Sequence, residues 1–331
     1  MSDPRYDVVG VGNAIVDVLS PVPEAFLSEH DIAKGGMTLI DQDRAVAIYE
    51  AFTGEKTQQS GGSAANTIAG VASLGLSGAY IGKVADDPLG EAFSSGLRDN
   101  GIDYRTAPLT GGPSTARCLI AVTPDGERSM STFLGASTMF SEDDVDADLI
   151  KAGKIVFLEG YLFDKDDAKH AYVRASEAAE AADRDVALTL SDTFCVERHR
   201  ASFKHLVKNH IDILFANEAE ISSLYETDFD SAVAAVRQDC KLAVLTRSDK
   251  GSLIVSGEDT HQIGVRPVDV VDVTGAGDLY AAGFLSAYAR ELSLDQCGEL
   301  GAIAAAEVIS HFGARPETPL AQLAAEAGIR L

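Results

Sequence analysis

The stretch Asp272-Val273-Thr274-Gly275-Ala276-Gly277-Asp278 decides how this chain is read. Two glycines and an alanine lie between acids, directly ahead of the apolar run Leu279-Tyr280-Ala281-Ala282-Gly283-Phe284. The pattern predicts a loop over 274–277 and a helix over 276–290, with Asp278 in its first turn. First-turn N–H groups have no intrahelical partner and lie at the positive end of the helix dipole, so they form an anion site. Gly275, Ala276 and Gly277 keep the approach to them open. Asp278 then has two readings. As a cap it bonds those N–H groups itself. As a base it orients an alcohol beside the anion they hold. The bareness of the stretch favours the second.

The rest of the chain bounds the answer. Its 331 residues are 46% hydrophobic and 24% charged, which allows an ample core in one large domain or two modest ones. The net charge of −24 argues against nucleic acid, which needs a basic face. It leaves room for a small anion held in a nest of backbone N–H groups. No run nears the roughly 20 apolar residues of a membrane span. The N-terminal MSDPRYDVVGVG lacks a signal-peptide pattern. Cys118, Cys195, Cys240 and Cys297 are widely spaced and read as reduced thiols. A cytoplasmic protein with no membrane or nucleic-acid partner is expected.

Short β-rich runs alternate with amphipathic ones. Val8–Val11, Ile155–Leu158, Val186–Leu190, Ile211–Phe215 and Leu242–Thr246 predict buried strands. Asp166–Ala182, Ala219–Tyr225, Ser231–Asp239, Ala276–Arg290 and Asp295–His311 predict helices. This alternation implies a parallel sheet covered on both faces. Met37–Ile40 reads as a separate short strand. Thr115–Val122 and Ser129–Leu134 read as a hairpin about the turn Pro124-Asp125-Gly126-Glu127. These extra strands suggest a small sheet beside the main body.

The other glycine loops differ in weight. Gly10-Val11-Gly12 lacks the third glycine of a dinucleotide fingerprint, because position 15 is Ile15. Ser60-Gly61-Gly62-Ser63-Ala64-Ala65-Asn66 leads into a helical pattern. Its paired glycines admit a ligand to the backbone. Asn66 offers a donor and an acceptor, which suits a vicinal diol. A plain strand–helix turn is the other reading.

Taken together, these motifs resemble the ribokinase-like, or PfkB, family of sugar and nucleoside kinases. Gly61–Asn66 is similar to the family's N-terminal motif, and Asp272–Asp278 followed by Ala281-Ala282-Gly283-Phe284 to its C-terminal motif. Asn217-Glu218-Ala219-Glu220 fits its N-x-x-E element, and Gly12–Asp17 its substrate aspartate. Within the family, LTLSDTF at 188–194, IDILFANEAE at 211–220 and Gly126-Glu127-Arg128-Ser129 are similar to the adenosine-kinase branch. One departure is Ala302, where that branch often carries a histidine beside the ATP adenine.

The resemblance implies one α/β domain over 1–331, with a mostly parallel sheet flanked by helices. A small β-sheet lid is expected from segments near 13–20, 35–41 and 113–135. The implied reaction is phosphoryl transfer from MgATP to a primary alcohol, with adenosine favoured as acceptor. A free sugar such as ribose or fructose is the alternative, and a non-catalytic nucleoside-binding regulator a lesser one. Asp278 would be the base, and the N–H groups of Gly275, Ala276 and Gly277 the anion hole. Asp17, Gly61, Gly62 and Asn66 would hold sugar hydroxyls. Tyr161 and Phe194 either stack on a base or are core aromatics. Asn217 and Glu220 would organise Mg²⁺ through water, and Asn217 also suits a helix N-cap. Thr246, Ser248, Gly251 and Ala302 would line the ATP site, although a polar turn explains the first three as well. Asp272 and Thr274 match positions that bind a monovalent cation such as K⁺ in several relatives. Arg117 and Arg128, on the lid, either meet phosphate or make surface ion pairs. A monomer and a homodimer both fit.

Overall fold

The computed structural model describes residues 3–331. A nine-stranded sheet forms the body. Its centre is β1 (Tyr6–Val11), next to β9 (Gly153–Glu159) on one side and β5 (Gly78–Ile81) on the other. Beyond β5 lies β6 (Asp103–Tyr104). Beyond β9 follow β10 (Asp185–Thr189), β11 (Ile213–Asn217) and β12 (Leu242–Thr246). All these pairings are parallel. An antiparallel extension, β13 (Ser252–Ser256) and β14 (Asp259–Ile263), closes that edge. The central strands are apolar through their middles because helices cover both faces. Helices Ser63–Ser73, Ala276–Tyr288 and Leu294–Val308 pack on one side. Helices Asp166–Glu180, Thr193–His210 and Phe229–Asp239 pack on the other.

A second, five-stranded sheet combines β2 (Ile15–Pro21), β3 (Met37–Leu39), β4 (Thr57–Gly61), β7 (Ala116–Val122) and β8 (Arg128–Phe133). Its order is β3-β8-β7-β2-β4. The β7–β8 hairpin lies within a residue or so of its predicted limits. Strand β4 was not among the expected lid segments. Its sequence, Thr-Gln-Gln-Ser-Gly, is polar and has no strand-like alternation, and β2 recruits it by antiparallel pairing. Helices Gln42–Ala51, Pro88–Asp99 and Thr193–His210 also add to the predicted set.

The chain passes between the sheets twice near the site. It leaves β1 through Gly12-Asn13-Ala14 to enter β2, and it returns from β4 through Gly62 into the helix Ser63–Ser73. Gly10 and Gly12 serve packing. A Cβ on Gly10 would lie 2.6 Å from Ile68, and one on Gly12 2.4 Å from the Glu159 carboxylate. No helix among the described residues is long and apolar enough to cross a membrane. All four cysteines are buried and free.

Candidate active site

Gly275 has φ +79° and caps the helix Ala276–Tyr288 without any side-chain hydrogen bond. A Cβ on it would meet Ala314 at 2.8 Å, so both the turn and the packing require glycine. A Cβ on Gly277 would meet nothing within 4 Å. Of the N–H groups expected as an anion hole, that of Ala276 donates to the Val273 carbonyl at 3.2 Å. The first-turn N–H groups of Gly277 and Asp278 have no i−4 carbonyl to bond and no side-chain cap.

Asp278 is therefore not bonding its own helix terminus with its side chain. Ser63 Oγ donates to one carboxylate oxygen at 2.6 Å, and Asn66 Nδ2 donates to the other at 3.0 Å. Thr67 Oγ1 donates to the Asp278 carbonyl at 3.2 Å. Two helix N-termini thus meet at one carboxylate. A close helix crossing brings them together: a Cβ on Gly70 would lie 2.5 Å from the Ala282 Cβ. Burial raises the Asp278 pKa, while the Ser63 and Asn66 hydrogen bonds and the charge of Arg315 pull it back.

Asp17 faces the same space from β2. A Cβ on Gly61 would fall 2.4 Å from its carboxylate, so Gly61 makes the room that Asp17 occupies. Gly62 has φ +99° and lies against the Asn13 carbonyl. Burial pushes Asp17 up to about 6, against the cations Arg128 and Arg315 and with the help of nearby Asp278.

Glu159, at the end of β9, was not singled out in the sequence. It is 1% exposed. Its carboxylate accepts from Asn13 Nδ2 at 2.9 Å and Ala64 N at 2.8 Å, so one acid ties both crossings between the sheets to the body. Burial raises its pKa to about 7 against those hydrogen bonds. Ser63 and Arg315 were not singled out either, because their partners lie more than 200 residues away in sequence.

A cavity of about 1420 Å³ is lined by both Asp17 and Asp278. It exceeds the roughly 300–1,000 Å³ of a pocket for one small molecule, leaving room for two ligands. Tyr161 and Phe194 line it as well, and at 37% and 56% exposed they are not core aromatics. The Tyr161 hydroxyl donates to the Ser191 carbonyl at 3.2 Å, and the Arg198 guanidinium lies 4.2 Å from the Phe194 ring centre. The apolar side chains Leu19, Met37, Leu39, Ile120 and Met130 of the small sheet line this cavity too.

Asn217, Glu220, Thr246, Ser248, Gly251 and Ala302 also line the cavity. Asn217 caps its helix. It accepts from Glu220 N at 2.8 Å, while the Glu220 carboxylate accepts from Asn217 N at 2.9 Å, a reciprocal capping box. Burial lifts Glu220 to about 7, opposed by the Asn217 hydrogen bond and aided by Asp192. Among the described residues no group of three or more His, Cys, Asp or Glu side chains is placed to hold a metal ion directly. One carboxylate and one amide suit contact through a metal's water shell. Gly251 has φ +79°, and a Cβ there would lie 2.0 Å from the Ile263 carbonyl. Val265, Val268 and Arg266, outside the predicted set, line the cavity as well.

Gly61, Asn66 and Asp272 lie just behind the cavity wall rather than on it. Asp272 accepts from Thr274 Oγ1 at 2.6 Å and from Gly313 N at 3.0 Å. Arg128 reaches across from the small sheet and pairs with it, and both side chains are 9% exposed. That pair is buried, unlike the surface ion pair expected of a lid arginine, and it supplies positive charge where a monovalent cation was expected. Arg117 turns away from the cavity, with Nη2 donating to Ser114 Oγ at 3.0 Å.

An uncapped helix start, a carboxylate in its first turn and a cavity with room for two ligands are the parts a phosphotransferase needs. The pfkB family carbohydrate kinase model matches residues 30–321, and the chain belongs to that family. It is a kinase. It is similar to the adenosine kinase of Sinorhizobium meliloti (48% identity, TM-score 0.89), covering 98% of this chain and 99% of that one. It is also similar to a probable sugar kinase of Rhizobium etli CFN 42 (44% identity, TM-score 0.90), over 99% and 100% of the two chains. A probable chloroplastic fructokinase-6 of Arabidopsis thaliana is 31% identical over 246 residues, which span 71% of this chain and 64% of that protein.

Proposed function

We propose that the kinase phosphorylates the primary alcohol of a nucleoside, adenosine foremost, with MgATP as donor. The observation that carries this reading is the exposed aromatic pair, Tyr161 and Phe194, in the wall of the cavity. A free sugar needs only the polar end near Asp17. The apolar surface beyond it suits a base, which aromatic rings and apolar side chains can sandwich. Similarity to a named adenosine kinase at 48% identity supports the same choice. Similarity to fructokinases favours a free sugar as the second reading.

In this account Asp17 holds the sugar hydroxyls and Asp278 accepts a hydrogen bond from the attacking hydroxyl. As the oxygen bonds to the γ-phosphorus, the bond to the β,γ-bridging oxygen breaks and ADP leaves. The proton passes to the Asp278 carboxylate. The transition state is loose, so positioning and charge stabilisation outweigh early deprotonation. The N–H groups of Gly277 and Asp278 meet the transferring phosphoryl oxygens, and one such donor is worth roughly 10²–10³ in rate. Asn217 and Glu220 would hold Mg²⁺, through water, and the ion would neutralise phosphate charge there. Thr246, Ser248 and Gly251 line the phosphates and ribose, and Val265, Val268 and Ala302 the adenine. The small sheet acts as the lid that excludes water.

The test is ADP release from MgATP with adenosine, other nucleosides, ribose and fructose offered separately. Turnover on adenosine well above that on free sugars is expected. Turnover confined to a free sugar would overturn the nucleoside reading and leave the kinase chemistry standing.

A further inference from the structure

Three consecutive residues beyond the last long helix touch both glycine motifs of the site. Gly313 N donates to Asp272 at 3.0 Å, and Ala314 packs against Gly275 where a Cβ would be. Arg315 crosses to the other motif. Its Nη1 donates to the Ala65 carbonyl at 2.9 Å and its Nη2 to the Ser60 carbonyl at 2.5 Å. Those carbonyls flank Gly61-Gly62, the turn that makes room for Asp17 and leads to Ser63 and Asn66. The segment is itself fixed: Glu307 Oε1 accepts from Glu317 N at 2.9 Å and from Thr318 N at 2.7 Å.

We propose that Arg315 is a positioning residue of phosphoryl transfer, stapling the glycine turn to the anion loop and adding positive charge to the buried carboxylates of Asp17 and Asp278. The inference rests on the reading of Asp278 as the base. The charged and titratable groups around Asp278 are Asp17 from β2, Glu159 from the end of β9, Tyr161 beyond it, and Arg315. The helix Ser63–Ser73 contributes neutral donors, Ser63 and Asn66 to the carboxylate and Thr67 to the Asp278 carbonyl. Arg315 is the cation whose charge acts on both Asp17 and Asp278, since Arg128, which also acts on Asp17, is committed to Asp272. Burial draws Arg315 down to about 10, partly offset by these two aspartates, so it stays charged at neutral pH. Its planar fork reaches two carbonyls at once, which the point charge of lysine does not do.

The experiment compares the full chain with R315Q and R315K. One readout is kcat/KM against pH with the preferred acceptor. The other is the ¹³C titration of the Asp278 carboxyl, assigned by its loss in D278N. Without the cation, R315Q should hold the Asp278 proton to higher pH. Its ratio of activity at pH 8 to activity at pH 6 should exceed that of the wild type at least about threefold. R315K should keep the wild-type acid limb but lose kcat, because one carbonyl contact is lost. An R315Q acid limb and carboxyl titration equal to the wild type would overturn the proposal, since a merely structural loss lowers activity equally at all pH values. If R315Q does not fold, R315K decides: a displaced acid limb or an undiminished kcat contradicts the proposal. If the wild type phosphorylates no acceptor, the base reading fails, and the carboxyl titrations still decide whether Arg315 sets the ionisation of Asp278.

Discussion

Asp278 enters the cavity with both oxygens held by neutral donors, Ser63 and Asn66. Such donors favour the carboxylate over the acid and aim it, which a base needs before its substrate arrives. Gly61 plays the matching part for Asp17. Gly61→Ala would drive a methyl group to within 2.4 Å of the Asp17 carboxylate. Backbone atoms of a paired strand cannot yield easily, so Asp17 must move. Displacement on the order of 1 Å costs about 10²-fold in positioning, and kcat/KM for the acceptor is expected to fall by about that factor. Steady-state kinetics on the folded variant check it, and an unchanged kcat/KM would refute the role of Asp17. The motif residues around these acids were legible in the sequence because each motif is local. Ser63, Glu159 and Arg315 were not, because each acts on a partner brought near by the fold.

At the scale of elements, the parallel body was readable from its apolar strands and intervening helices. The small sheet was readable only in part. The β7–β8 hairpin carries its own turn and alternation, whereas β4 is a polar segment that becomes a strand by pairing with β2. The exposed Phe194 illustrates a related difficulty. Its place at the start of the helix Thr193–His210 is local, but its exposure depends on what the fold leaves uncovered. The helix crossing at Gly70 and Ala282 is the tertiary event that builds the site, and nothing near either residue announces it. Glu159 then locks the two passages between the sheets onto the body, so the lid moves about a fixed base in the proposed mechanism.

Over the whole molecule the raised acids set a conflict between stability and activity. Asp17 is lifted to about 6, and Glu159 and Glu220 to about 7, from 3.8 for aspartate and 4.5 for glutamate. Between those limits the folded chain binds more protons than the unfolded chain. Stability therefore falls as pH rises through that window. Self-repulsion at a net charge of −24 acts in the same direction. Turnover runs the other way, because Asp278 must be ionised to accept a proton. Thermal unfolding is expected at higher temperature near pH 5 than near pH 7.5, while kcat/KM is lower at pH 5. Melting curves that rose with pH across this range would contradict the assignment of these buried acids.

The central claim is that a single carboxylate receives the acceptor's proton beside a backbone anion hole. Its most direct test is acceptor-dependent ADP formation from MgATP by the wild type and Asp278→Asn. Asparagine preserves the shape and accepts no proton. The account predicts a loss of about 10²–10⁴-fold in kcat with the fold intact by circular dichroism. A folded Asp278→Asn enzyme turning over within a few-fold of the wild type would contradict it.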